Sequence, residues 1–314
     1  MLKYLVVLLD DSAISYCHYQ NIDTHNLMPI DVLKKCILFA MKNDMRIQYV
    51  LPKYKLPLEY YDLMDTMFHD NIGTMEQAEL SDVIVVDGIN ALVDSKEKLD
   101  CNKRYIVRTT ISLFFEQYKL LIELFALNTS VNIVFTDVES FSDELVPKYR
   151  DLLIDLVEHA KELILSGHNF NTNLLTDRIA LEYMNNCGSG DSSITLAPNG
   201  TFYPCPAFYY SKIPYYELGN IDSGIIIPND KLYKITGAPL CKTCDAYHCK
   251  RCVWLNKTLT YEINTPSRQQ CLMAHVERNA SKYLLERLQE KGLIEDKHIA
   301  DIDYLDPFDV YNNV

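Results

Sequence analysis

Ten cysteines stand at positions 17, 36, 101, 187, 205, 241, 244, 249, 252 and 271, and seven of them crowd between Cys187 and Cys271. Thiolates are soft anionic ligands that suit iron–sulfur clusters and zinc. The pairs Cys241-x2-Cys244 and Cys249-x2-Cys252 each let one backbone turn offer two sulfurs to one centre. Disulfides are the competing use of such a cluster. The N-terminal apolar run is too short for an export signal and ends at Asp10 and Asp11, so a reducing cytoplasm is expected, where clustered cysteines favour metal. Zinc could take Cys241, Cys244, Cys249 and Cys252. However, four residues separate these pairs, where zinc ribbons use roughly 15–20, and three cysteines would be left over. One or two [4Fe-4S] clusters are therefore expected on Cys187, Cys205, Cys241, Cys244, Cys249, Cys252 and Cys271, with structural zinc as the alternative.

Other residues could do chemistry. Asp10 and Asp11 end an apolar strand, at the edge where parallel sheets place their sites; they could bind a metal or a peptide amine, or simply solvate a loop. Cys17 follows in the same loop. His248 abuts Cys249 and could ligate or protonate a metal-bound species, or act as a donor behind the ligands. His275, one helical turn after Cys271, is a similar case. Lys250, Arg251 and Arg268 form a basic spot that could attract an acidic peptide or offset thiolate charge. Cys36 lies on an apolar helical face and reads as core, and Cys101 carries no motif. There is no Walker A sequence, dinucleotide fingerprint or Gly-x-Ser-x-Gly elbow, so no organic cofactor site is expected. The net charge of −13 and pI near 5.0 argue against nucleic acid and polybasic membrane anchoring, and no stretch suits a membrane span.

These residues need elements to hold them. The continuous apolar run at 3–9 predicts a buried parallel strand, and further strands are expected at 46–51, 82–86, 104–108 and 131–135. Helical periodicity falls at 30–42, 58–68, 110–125, with Thr110 as cap, and 143–165. This alternation argues for right-handed βαβ units, in a doubly wound sheet or a partial barrel. After Leu165 the pattern changes. A short helix is expected at 176–184. A dense run of Gly and Pro from Gly188 to Pro239 forbids long helices, and Asn199-Gly200 predicts a hairpin joining 193–197 to 201–203. So irregular a segment has little core of its own and needs a staple. A last helix is expected at 268–291, followed by an acidic, aromatic end (299–314) that drapes over the body or dangles. The expected division is 1–165 as an α/β domain, 166–186 as a connector, 187–290 as the cysteine-ligated domain and 291–314 as an acidic tail.

Cys187-x12-Gly200-x4-Cys205, a gap, the four-cysteine knot, a gap and Cys271 resemble the SPASM domain, which follows the barrel of many radical S-adenosylmethionine peptide-modifying enzymes. The knot departs from that pattern: its last two intervals are each one residue shorter than the family's. The resemblance implies one [4Fe-4S] cluster on Cys241, Cys244, Cys249 and Cys271, and another on Cys187, Cys205 and Cys252 with an open iron or a non-cysteine ligand. The radical enzymes also need Cys-x3-Cys-x2-Cys after the first strand. Here Asp10, Ile14 and Cys17 fill that frame, so ordinary radical chemistry is not expected, and S-adenosylmethionine binding is left open. The layout, with Pro198–Tyr210 and Cys244–Cys252, is similar to the CXXX repeat peptide maturases. That resemblance implies an iron–sulfur protein acting in or assisting modification of a cysteine-repeat precursor peptide, with a partner modification enzyme or electron donor. The alternative is a non-catalytic peptide-binding scaffold with structural zinc or clusters.

Overall fold

The structure is a computed structural model and describes residues 2–308; Met1 and 309–314, the end of the expected acidic tail, lie outside the described residues. In chain order the elements begin with β1 (Tyr4–Leu8), α1 (Ile30–Lys42), β2 (Arg46–Val50), α2 (Leu58–Met64), β3 (His69–Thr74), β4 (Val83–Asp87) and α3 (Ile89–Val93). There follow β5 (Arg104–Thr109), α4 (Ile111–Gln117), α5 (Leu120–Ala126), β6 (Ser130–Phe135), α6 (Leu145–Leu165), β7 (Asn171–Thr172) and α7 (Asp177–Ala180). The last third holds β8 (Ser193–Leu196), β9 (Phe202–Tyr203), α8 (Pro206–Ser211), β10 (Gly219–Asn220), β11 (Gly224–Ile225), α9 (Val253–Thr260) and α10 (Arg268–Gln289). The class is α/β, as the strand–helix alternation predicts. No described helix is long and apolar enough to cross a membrane. Two compact units interleave along the chain: Met1–Val85 with Cys187–Ala238, and Val86–Asn186 with Pro239–Val314.

In the first unit β4, β3, β2, β1 and β8 pair in parallel in that order, and β9 closes the edge antiparallel to β8. β1 is apolar throughout because it is covered on both faces. Its Leu5 and Val7 join Ile47 and Tyr49 of β2, Ile194 and Leu196 of β8, and Leu33, Cys36, Ile37 and Ala40 of α1 in one core. Cys36 is thus core, as expected. The turn at Asn199-Gly200 forms the expected hairpin, with Gly200 at φ +79°, where a side chain is strained.

In the second unit β5, β6 and β7 are parallel, and α6 and α10 carry its largest buried faces. Thr110 caps α4, its Oγ1 accepting from the Leu113 amide at 3.3 Å. The helix expected over 110–125 breaks at Tyr118–Lys119 into α4 and α5. The tyrosyl ring of Tyr149 on α6 sits among Phe114, Phe115, Phe135 and Phe141, at centroid separations of 5.6–6.1 Å. The stretch 299–308 packs within this unit, burying Ile299 and Phe308.

Other elements also depart from the expectation. β3 escapes an apolar pattern because Ile72 is its single aliphatic residue, yet its backbone pairs along both β2 and β4. The helix expected at 176–184 is one turn, Asp177–Ala180.

Candidate metal centre and the loop after the first strand

In the second unit four thiols gather: Cys241, Cys244, Cys249 and Cys271. Burial pushes the Cys249 thiol well up, and the thiols of Cys271, Cys244 and Cys241 push it the same way. Burial, then Cys241 and Cys244, raise Cys271 to about 12; Cys241 is raised by burial to about 11. Local backbone explains the grouping. Cys241 opens a single 3-10 turn in which the Cys244 amide donates to the Cys241 carbonyl at 3.2 Å, and the Cys249 amide donates to the Ala246 carbonyl at 2.9 Å. Cys271 arrives from the first turn of α10, whose cap Ser267 accepts from the Gln270 amide at 3.3 Å. That helix start favours negative charge.

Donors and cations surround the sulfurs. Cys244 Sγ accepts from the Ala246 amide at 3.5 Å and from the Tyr304 hydroxyl at 3.8 Å, and His275 Nε2 lies 3.6 Å away. Burial pushes the His275 imidazole down to about 4. Arg251, Arg268 and Arg278 act on Cys241, Cys271 and Cys244 respectively, each lowering its thiol. Arg251 and Arg268 of the basic spot thus lie near thiols of this group.

Behind the sulfurs lies a buried polar network. Asp245 accepts from Arg278 Nη2 at 2.8 Å and Nε at 3.1 Å, from Arg178 Nη2 at 3.4 Å and from the Tyr304 hydroxyl at 2.5 Å. Burial alone would raise this carboxyl; the Arg278 and Tyr304 hydrogen bonds outweigh it and hold it below the ordinary aspartate value. Alongside, Tyr149 donates to Glu277 Oε1 at 2.7 Å, and His248 Nε2 lies 3.2 Å from Glu277 Oε2. His248 is 3% exposed and its Nδ1 is without a partner among the described residues. Glu277 fixes one face of the His248 ring, and its role stays among those weighed from the sequence. The sequence reading missed Tyr149, Arg178, Asp245, Glu277, Arg278 and Tyr304; only the proximity of Asp245 to Cys244 hinted at any of them.

Cys252 caps α9, its Sγ accepting from the Leu255 amide at 3.5 Å, and is buried. Cys187 and Cys205 belong to the first unit. Cys187 is exposed and Cys205 half-buried. Burial, then Cys187, push the Cys205 thiol up to about 12; nearby, the Ser189 hydroxyl donates to the Pro204 carbonyl at 3.0 Å and the Phe208 amide to the Cys205 carbonyl at 3.2 Å.

Asp10 is fully buried at the end of β1. Its Oδ1 accepts from the Ser12 amide at 2.8 Å and the Ser12 hydroxyl at 2.5 Å, and its Oδ2 accepts from Tyr54 at 2.9 Å. Asp11 accepts from the Tyr209 hydroxyl and borders a cavity of about 300 Å³ lined by Tyr203, Phe208, Tyr209, Lys212 and Glu217. Ile14 is 3% exposed and packs into the interior.

The donor sets decide what could be held. The four sulfurs of Cys241, Cys244, Cys249 and Cys271, ringed by arginines and N–H and O–H donors, fit an anionic thiolate-bound centre. Among the described residues no group of three or more His, Cys, Asp or Glu side chains is placed to hold a metal ion. A single zinc pulls four sulfurs onto itself, whereas each thiolate of a four-iron cluster takes its own iron. The loop after β1 does not fit a three-thiolate cluster of its own. Asp10 accepts three hydrogen bonds from Ser12 and Tyr54 within the chain, and Ile14 offers no donor.

No protein-family model and no curated protein sequence matches the chain. Among solved structures it is similar to hexahistidine-tagged anSMEcpe with bound AdoMet (S-adenosylmethionine), with a TM-score of 0.61 at 14% identity, over 91% of this chain and 98% of that one. A looser likeness, at TM-score 0.46 and 14% identity, is to Streptococcus suis SuiB bound to the precursor peptide SuiA, over 77% of this chain and 66% of that one. The first likeness establishes a shared α/β fold.

Proposed function

We propose that this chain is a cytoplasmic iron–sulfur protein of ribosomally made peptide maturation, a degenerate relative of radical S-adenosylmethionine enzymes with a SPASM-like segment, similar to the CXXX repeat peptide maturases. The gathering of Cys241, Cys244, Cys249 and Cys271 beside Arg251, Arg268 and Arg278 carries this reading. These four residues would hold one [4Fe-4S] cluster, which supplies one-electron transfer or a soft site for a thiolate. The chain's own residues do the rest. Ala246 N–H and Tyr304 O–H donate to Cys244, Glu277 orients His248, and the arginines balance the sulfur charge. The fold shared with an AdoMet-bound protein supports the relationship. The loop of Asp10, Ile14 and Cys17 supports a role other than ordinary radical chemistry.

The partner in this reading is a cysteine-repeat precursor peptide, served together with a modification enzyme or electron donor. The aromatic cavity beside Asp11 supports peptide contact, with Tyr rings for apolar side chains and Asp11 and Glu217 for an amine. The functional division keeps 1–165 as the scaffold and 187–290 as the metal-carrying segment. The internal hydrogen bonding of Asp10 to Ser12 and Tyr54 favours one second reading, a peptide-binding scaffold in which metal only supports folding.

Anaerobic purification with iron, sulfide and zinc analysis tests the proposal. A brown protein with broad absorbance near 400 nm, losing about four irons per chain in Cys249→Ala, is the expected result. A colourless chain with stoichiometric zinc refutes it.

A further inference from the structure

A cavity of about 300 Å³ opens beside the loop after β1, within the first unit. Its lining changes from floor to mouth. Tyr203 and Phe208 are buried, and so is Asp11, at 8% exposure. Ile22 and Ile213 are half-buried and give an apolar wall. Lys212, Pro214, Tyr215 and Glu217 are exposed and form the mouth. Two tyrosine rings stand side by side in this lining, Tyr203 and Tyr209, at 5.3 Å and 56°.

Asp11 is the uncompensated member of this lining. A carboxylate taken out of water calls for a cation or for several donors. Its neighbour Asp10 has three donors, two from Ser12 and one from Tyr54. Asp11 has the Tyr209 hydroxyl, and among the described residues no Lys, Arg or His pairs with it. Lys212 lines the same cavity, yet among the described residues it forms no ion pair with Asp11 or Glu217. Aromatic rings around a desolvated carboxylate suit an organic cation. The chain's net charge of −13 draws such a ligand toward the surface.

We propose that this cavity takes a cationic side chain, lysine or arginine, of the peptide partner. This rests on the peptide-contact reading above and says which part of the peptide enters. The methylene stem runs along Ile22, Ile213 and Phe208, and the charged head reaches Asp11 and the Tyr203 and Tyr209 rings. A terminal amine fits this lining less well than a side chain. It would press backbone amide groups against apolar walls that offer them no partner.

Calorimetric titration of the full chain with peptides blocked at both ends, N-acetyl-Ala-Xaa-Ala-amide, tests this. Lysine or arginine at Xaa should bind saturably. Norleucine, which keeps the stem without the charge, and glutamate should bind about 10–100-fold more weakly. Asp11→Asn, whose amide oxygen can still accept from Tyr209, should bring the lysine peptide down to the norleucine level. Lys212→Met removes a like charge at the mouth and should tighten lysine binding about 2–5-fold, a gain that misfolding cannot mimic. Three results overturn the inference while leaving peptide contact standing: norleucine binding as well as lysine; Ala-Ala-Ala-amide with a free amine binding as well as the blocked basic peptides; or lysine affinity unmoved in folded Asp11→Asn, or in Lys212→Met where Asp11→Asn does not fold. No binding of any peptide at about 10 mM overturns the inference and peptide contact at this cavity together. The centre at Cys241, Cys244, Cys249 and Cys271 is read separately, by iron content.

Discussion

Asp245→Asn keeps the side chain's size and removes the negative charge on which Arg178 and Arg278 converge. Both guanidinium groups are buried, with side chains 7% and 3% exposed, against 18% for Asp245. Breaking a buried ion pair from one side costs about 3–5 kcal/mol, because the remaining charge stays desolvated. Residual exposure of Asp245, and the other contacts of Arg278 to Asn279 and the Ala300 carbonyl, favour the lower end. At roughly 2–4 °C per kcal/mol for a unit of this size, a loss of about 3 kcal/mol lowers Tm by about 6–12 °C. The assay is thermal unfolding of the reduced, metal-free chain followed by circular dichroism. The pH dependence gives a second handle. The Asp245 carboxyl is held below its ordinary value, so its stabilisation is present above the unfolded pKa of about 3.9 and is lost as pH falls through the folded value. The gap between wild type and variant should therefore be full at pH 7 and shrink as pH falls through the folded value. A variant that melts within about 1 °C of wild type at pH 7, or a gap undiminished in acid, would refute the reasoning.

Tyr54→Phe removes a donor from buried Asp10 and should lower stability by about 1–2 kcal/mol, seen as a lower urea midpoint at unchanged slope; an unmoved midpoint counts against a buried carboxylate that depends on that bond. Gly219→Ala should destabilise by about 1–3 kcal/mol, since φ is +105° and a Cβ would meet the Gly224 carbonyl oxygen at 2.2 Å; a neutral melt would show that the β10–β11 hairpin can shift. Iodoacetamide at pH 8 should label exposed Cys101 rapidly and leave Cys36 unmodified in the native chain, its thiol being pushed well up by burial; equal rates, read by mass spectrometry of peptides, would contradict the core placement.

What the sequence reveals follows from how far apart the cooperating residues lie. β1 is legible because burial on both faces leaves an apolar run, β2, β5 and β6 because their buried positions are aliphatic or aromatic, and the knot because Cys241, Cys244 and Cys249 share one short stretch. β3 is not, because backbone pairing rather than side-chain character places it. The network behind the thiols is hidden for another reason: Asp245 meets Arg278 across 33 residues and Arg178 across 67, and Tyr149 meets Glu277 across 128. Charged residues at such separations carry no local signature. The same holds for the tie between the loop after β1 and α8, which closes over 198 residues between Asp11 and Tyr209.

β1 pairs with β2 on one side and with β8 on the other, the latter through Tyr4↔Ser193 to Val7↔Leu196. On a ribosome, the β2 side can form almost at once, but the β8 side waits for nearly the whole of the intervening chain. At about 5–20 residues per second that delay is roughly 10–40 s, during which an apolar strand edge stands open. Such an edge recruits whatever extended segment it meets, including the same strand of another nascent copy. Yield from fast, strong expression should therefore suffer more than yield from slow expression, and a circular permutant that begins at β8 should shorten the vulnerable interval.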